Sequence, residues 1–225
     1  MNDNAQVLSR PVARRRMLLA VPAAAALLAA GCGALPDKPS RTTLYDFGPN
    51  LAAAAPAPAN AAPLPPIVLA EIDASTRLEG TQLLYRLGYA DSNELRPYGQ
   101  SRWSLAPGQL LHQRLRDALA QRRMVVGSEE AATLARTEGR VPDTLRVALD
   151  EFSHYFESPT GSVGLVRLRA TLIRSGAGGD RVMAQRSLVV QRPAPSGDAA
   201  GGVKGLAAAS DAAVAELVAW VDQVR

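Results

Sequence analysis

Apolar residues alternate with polar ones along three stretches of this chain and recur every third or fourth position along two others, so strands and helices are both expected. In 81–89, Leu83, Tyr85, Leu87 and Tyr89 share one face by strict alternation. In 162–175, Val166, Leu168, Ala170 and Leu172 face one way, and Arg167 and Arg169 the other. The run 144–157 changes phase: Leu145, Val147 and Leu149 share one parity, and Phe152, His154 and Phe156 the other. A strand cannot switch faces without an extra residue, which predicts a β-bulge near Asp150-Glu151. A turn at 176–180 returns the chain along 181–191, giving an antiparallel meander. Shorter strands are expected at 42–47, 67–73 and 124–126, the last one buried. Glu94 to Tyr98 pairs back on the 81–89 strand.

The helical pattern is clearest in 107–122. Pro107 suits a first turn, and Leu111, Leu115, Ala118 and Leu119 form one apolar face. A second helix is expected from about Val203 to the end, with Ala207, Ser210, Val214, Leu217 and Val221 as its stripe, after a loop at 193–202. A short helix is expected over 128–138 with Ser128 as its cap. The elements define an α+β fold: an antiparallel-rich mixed sheet with two main helices packed on one face.

The beginning of the chain reads differently. Arg14-Arg15-Arg16 precede an apolar run from Met17 to Ala30, which ends in small residues before Cys32, the chain's only cysteine. A basic region, a short apolar core and small residues make a secretory signal peptide, and a run of this length is too short to span a bilayer. Ala29-Ala30-Gly31-Cys32 resembles a bacterial lipobox, which implies acylation of Cys32 and cleavage before it. The arginines also resemble a twin-arginine export signal. The organisation expected is a signal peptide at 1–31, a tether at 32–41, and one domain at 42–225 carrying a mobile Ala/Pro-rich loop at 51–66.

Charge changes meaning once the signal peptide is set aside. The whole chain is +4. Residues 1–31 hold four arginines and one aspartate, or +3, leaving +1 for the rest. That near-neutral remainder argues against nucleic-acid binding. A single cysteine excludes an internal disulfide. His112 and His154, on separate elements, do not make a zinc set. Gly161-Ser162-Val163-Gly164 lacks nucleophile-elbow spacing, and Gly176-Ala177-Gly178-Gly179 lacks the residues of a phosphate loop. No catalytic residue, metal site or cofactor is expected apart from covalent lipid on Cys32. The unusual region is 85–103, where Tyr85, Tyr89, Tyr98 and Trp103 are four of the chain's ten aromatics, interleaved with Arg86, Arg96 and Arg102. Two readings stand: core aromatics with snorkelling arginines, or a contact patch for a partner or a second copy, with Tyr85, Arg86, Tyr98, Arg102 and Trp103 as its residues.

Tyr45-Asp46-Phe47-Gly48-Pro49, Tyr85-Arg86, Tyr98, Arg102-Trp103, Pro107 and the helix with Leu110-Leu111, Leu115 and Leu119 occur in an order that resembles the ABC-type transport auxiliary lipoprotein family, the PqiC-like group. The resemblance implies a non-enzymatic accessory lipoprotein of a lipid transport system, with an MCE-domain protein and an ABC permease and ATPase as partners. It also implies a palmitate-bearing anchor at the periplasmic face of the outer membrane, to which Gly33 after the cysteine is suited. The alternative is a periplasmic lipoprotein that holds a lipid or cell-wall ligand in a pocket of its own between sheet and helices.

Overall fold

The longest paired element is a meander of three strands, β7 (Asp143–Phe156), β8 (Ser162–Gly176) and β9 (Gly179–Pro193), antiparallel throughout. This is a computed structural model describing residues 41–49, 64–131, 133, 141–176 and 178–224, and everything below concerns those residues. All but Arg41 belong to the compact unit Thr42–Arg225. The other edge of β7 is shared by three short parallel strands in sequence along it. These are β2 (Leu64–Leu69) beside Asp143–Leu145, β3 (Asp73–Ala74) beside Ala148–Leu149, and β4 (Gln82–Leu87) beside His154–Phe156. Outside β4 lie β5 (Arg96–Trp103), antiparallel to it, and then β1 (Thr43–Tyr45), parallel to β5. Outside β2 lies β6 (Arg123–Val126). The sheet therefore has nine strands and forks around β7.

The expected bulge is present: the β7–β8 register shifts between Leu149 and Glu151. The extra residue lets Leu145, Val147 and Leu149 on one side of it, and Phe152 and His154 on the other, all bury on the same face. Helices α1 (Pro107–Ala120) and α2 (Ala199–Gln223) cover that face. Leu111, Leu115 and Leu119 of α1, and Leu206, Ala209, Ala213 and Leu217 of α2, are essentially inaccessible to solvent. Each fully buried leucine contributes roughly 1.5–3 kcal/mol. Arg114 joins the helices through an ion pair to Asp211 at 3.2 Å.

Several elements depart from the sequence reading. α2 starts at Ala199, inside the expected 193–202 loop, because the Asp198 carboxylate accepts the Gly201 N–H at 2.8 Å and caps it. Three glycines in its first turns, poor helix formers in general, are required by packing. A Cβ on Gly202 would overlap the His154 ring, and Gly205 lies against the backbone of Gly164 in β8. The buried stripe also contains Leu206 and Trp220, while Ala207 is only half-buried. Leu64, Pro65 and Pro66, the end of the expected 51–66 loop, open β2 instead, with the prolines at a register shift where no ladder N–H is needed. Positions 51–63 of that loop lie outside the described residues.

In β6 only Val126 is buried and Met124 is 60% exposed, because the strand closes one end of the sheet rather than running through it. Tyr89 falls beyond β4 and is exposed, and Leu84 is buried together with Leu83 because the β4–β5 pairing slips between Gln82 and Leu84. Ser128 is itself helical, and the Glu130 carboxylate takes the Gly127 N–H. The expected signal peptide, Cys32 and the tether up to 40 lie outside the described residues.

Candidate functional site

The antiparallel pairing of β4 with β5, and the parallel pairing of β4 with β7, bring the predicted cluster together but split it between two faces of the sheet. Tyr85 and His154 are register partners on the helix-covered face. There the rings of Tyr85 and Tyr98 lie 4.7 Å apart, and His154 packs on Phe156 at 4.4 Å. The imidazole is sealed from solvent and held at both ends. Its Nδ1 is 2.8 Å from the Tyr98 hydroxyl and its Nε2 is 2.8 Å from Ser162 Oγ. Burial holds this ring neutral and pulls its pKa down to about 4, partly opposed by the Asp198 carboxylate at the start of α2. Burial, with Tyr85 and Asp198 nearby, pushes the Tyr98 hydroxyl above its ordinary value.

Arg86 points to the opposite face, where it forms a two-pronged ion pair with Glu151, Nε to Oε1 and Nη2 to Oε2 both at 3.1 Å. Its Nη1 donates to the carbonyls of Ser92 and Asn93, which fixes the turn after β4. Glu151 is the residue that the bulge turns out of phase. One geometric feature therefore both realigns the apolar face and supplies the carboxylate for Arg86. Arg77 approaches the same carboxylate at 3.8 Å. Arg102 donates from Nη1 to the carbonyls of Tyr98 and Ser101 and stays partly exposed.

Trp103 corrects the expected contact patch. It is 1% exposed and packs edge-on to Phe47 at 5.7 Å and to Phe152 at 5.6 Å. Strand β5 alternates, so while Arg102 faces outward the next residue enters the core. Arg86 is likewise committed to Glu151, its side chain only 14% exposed. Of the five residues only Trp103 is buried; Tyr85, Arg86, Tyr98 and Arg102 are half-buried, and Arg86 is held by its pairing with Glu151.

Sequence reasoning missed Arg114. It is 8% exposed, donates from Nη2 to the Phe47 carbonyl at 2.7 Å and lies over the Phe47 ring at 5.9 Å. The signal was present: position 114 lies three and four residues after Leu111 and Leu110, on the apolar face of α1. Its contacts explain the Tyr45–Pro49 run. Phe47 enters the core, and Gly48 adopts φ +72° while donating its N–H to the Asp46 carboxylate at 2.7 Å. Arg114 then holds the exposed carbonyls of that turn against both helices. Among the described residues, no three His, Cys, Asp or Glu side chains converge as a metal site. None of the described helices is long and apolar enough to cross a membrane.

Fold and cluster together define an α+β domain with a filled core, in which arginines and aromatics lock the forked sheet to its helices. The chain belongs to the ABC-type transport auxiliary lipoprotein family, whose sequence model matches residues 45–219, nearly the whole folded unit. Membership makes it a membrane-anchored periplasmic lipoprotein and an auxiliary component of an ABC transport system. A DUF330-family protein from Xanthomonas campestris has the same fold, at TM-score 0.65 and 20% identity, with 80% of this chain and 94% of that one covered. An uncharacterized protein aligns at TM-score 0.56 and 13% identity, covering 80% and 99% of the two chains. A hypothetical protein from Chlamydia trachomatis aligns at 0.50 and 9%, covering 71% and 96%. No curated protein matches the chain.

Proposed function

We propose that the protein is a non-enzymatic accessory lipoprotein that docks the periplasmic part of an MCE-type ABC lipid transporter at the outer membrane, anchored by lipid on Cys32. The observation that carries this reading is the family match across 45–219. The continuous core that runs from Ile67 to Val221 supports it. It occupies the middle of the space between sheet and helices where a ligand pocket of the protein's own was the alternative, and leaves a cleft of about 580 Å³ at one end, lined by Leu64, Ile67, Leu172 and Val221. Docking then falls to the surface, and the half-exposed members of the aromatic–arginine cluster not held in an ion pair, Arg102 on the outward face and Tyr85 and Tyr98 on the helix-covered face, are the residues assigned to it.

The test is association of the lipidated protein with the purified MCE-domain protein and permease of the same organism, with Arg102→Ala as the surface variant. Loss of association with an unchanged melting temperature supports the patch. Association that survives both Arg102→Ala and Tyr85→Ala overturns it, and no association by the parent protein overturns the docking reading. Cys32→Ser should abolish labelling by palmitate and release the chain from the outer-membrane fraction; a variant that still takes up label refutes the anchor.

A further inference from the structure

The face of the sheet opposite the helices carries a second arrangement of charge, separate from the cluster at β4–β5. Asp73 of β3 is in register with Ala148 of β7, and Ala148 with Arg169 of β8. Neighbouring strands lie about 4.8 Å apart, so a carboxylate and a guanidinium stem rise on either side of one methyl group. Arg146, two residues before Ala148, shares this face, since Leu145 and Val147 on either side of it are buried in the core. It is in register with Thr171. Glu71 stands two residues before Asp73. These side chains, with Ala70 and Ser128, line a depression of about 450 Å³ whose floor is Val147 and Ala148.

The charges there are unspent. Arg146 is exposed and has no ion-pair or hydrogen-bond partner among the described residues, and neither has Asp73 or Glu71. Arg169 reaches only Asp150, at 3.9 Å and half-exposed. Arg114, Arg122, Arg123, Arg174 and Arg186 are each paired with a carboxylate. Arg116, Arg167, Arg181 and Arg192 have no carboxylate partner among the described residues, but none of these four lines this depression, where unpaired carboxylates stand opposite an arginine in register. A simple anion would meet the carboxylates of Asp73 and Glu71, and a simple cation would meet the two guanidinium groups. The wall charges sum to zero, with Asp73 and Arg169 on strands either side of β7 and Arg146 on β7 itself.

We propose that this depression binds a small zwitterion, its anionic group on Arg146 and Arg169 and its primary ammonium on Asp73 and Glu71. Phosphoethanolamine, with two carbons between phosphate and amine, is the ligand of that form that a membrane-anchored protein meets as a lipid headgroup. The site stands independently of the docking reading, because none of its residues belongs to the β4–β5 cluster.

The experiment titrates the chain from Gly33 to Arg225 with O-phosphoethanolamine, inorganic phosphate, ethanolamine and O-phosphocholine, followed by heteronuclear NMR. Phosphoethanolamine should bind saturably and more tightly than the other three. Arg146→Gln should weaken both phosphoethanolamine and phosphate, whereas Asp73→Asn should weaken phosphoethanolamine alone, each by about twofold to fivefold, the range of an exposed ion pair. Both side chains are exposed, so unchanged melting temperatures serve as the folding control. Sedimentation with phosphatidylcholine vesicles, with and without phosphatidylethanolamine, separates the two sources: capture only by the latter assigns the lipid headgroup, and no capture, with free phosphoethanolamine still bound, assigns a soluble phosphate ester. Equal binding of phosphate and phosphoethanolamine, indifference to Asp73→Asn, or no saturation with phosphoethanolamine overturns the site.

Discussion

Replacing His154 with Gln should remove much of the domain's sensitivity to mild acid. The folded state holds this imidazole neutral, with a pKa of about 4 against an ordinary 6.5. Between those values the unfolded chain binds a proton that the folded chain does not, so stability falls as pH drops. The group's full span, 2.5 pH units, corresponds to about 3 kcal/mol at 1.36 kcal/mol per unit. Most of it lies in an accessible window, with about 2 kcal/mol lost between pH 7 and pH 5. The groups facing the ring are Tyr85 from β4, Tyr98 from β5, Phe156 from β7, Ser162 from β8, and Gly202 and Asp198 from α2. Only Asp198 is charged at these pH values. Hydrogen bonds from Gly201 and Ser196 keep its own pKa below 3.8, so its contribution is lost only in stronger acid.

Urea unfolding of parent and His154→Gln at pH 7 and pH 5 isolates the ring, because ordinary carboxylate effects are common to both proteins. The parent should lose about 2 kcal/mol more than the variant over that interval. Equal losses would refute a neutral, desolvated histidine between Tyr98 and Ser162.

Three other perturbations probe the packing. Arg86→Ala should destabilise the domain by about 3 kcal/mol, since it leaves the Glu151 carboxylate buried beside only the distant Arg77; adding Glu151→Gln should recover part of that loss in a double-mutant cycle measured by urea melts. Gly164→Ala drives a methyl group into the backbone of Gly205 and Leu206 and should abolish soluble expression, whereas Gly99→Ala, with nothing within 4 Å, should express normally. Leu115→Ala and Leu217→Ala, both at 0% exposure, should each cost about 2–5 kcal/mol by chemical denaturation.

Much of this fold was legible in the sequence because its long strands obey one period. The phase change in β7 located the bulge, and the arginines flanking Leu168 marked the uncovered face of β8. Legibility failed where a local rule yielded to tertiary contact. Turn-forming and small residues argued for loop at 199–202, yet Asp198 caps a helix there whose backbone lies against Gly164 and the ring of His154. Two prolines argued for loop at 65–66, yet a register shift admits them to a strand. His154 read as one more strand residue, since nothing in sequence spacing shows that Tyr98 and Ser162, 56 positions before it and 8 after, meet its two nitrogens.

The aromatic–arginine run at 85–103 shows why composition alone cannot separate a contact surface from a core. Aromatic rings and guanidinium groups serve both, and along a strand they serve them at alternate positions. Arg102 and Trp103 are neighbours in sequence, yet one remains at the surface and the other is sealed between Phe47 and Phe152. Tyr85 and Arg86 divide in the same way, one toward the ring of Tyr98 and the other toward Glu151. Reading the run as a single patch required all five side chains to point one way. The β4–β5–β7 pairing forbids that, and it places Tyr85, Arg86 and Trp103 at interior joints of the sheet. A partner-contact role then falls to the half-exposed members, and substitutions at Arg102 and at Trp103 should separate cleanly: the first read in association, the second in melting temperature.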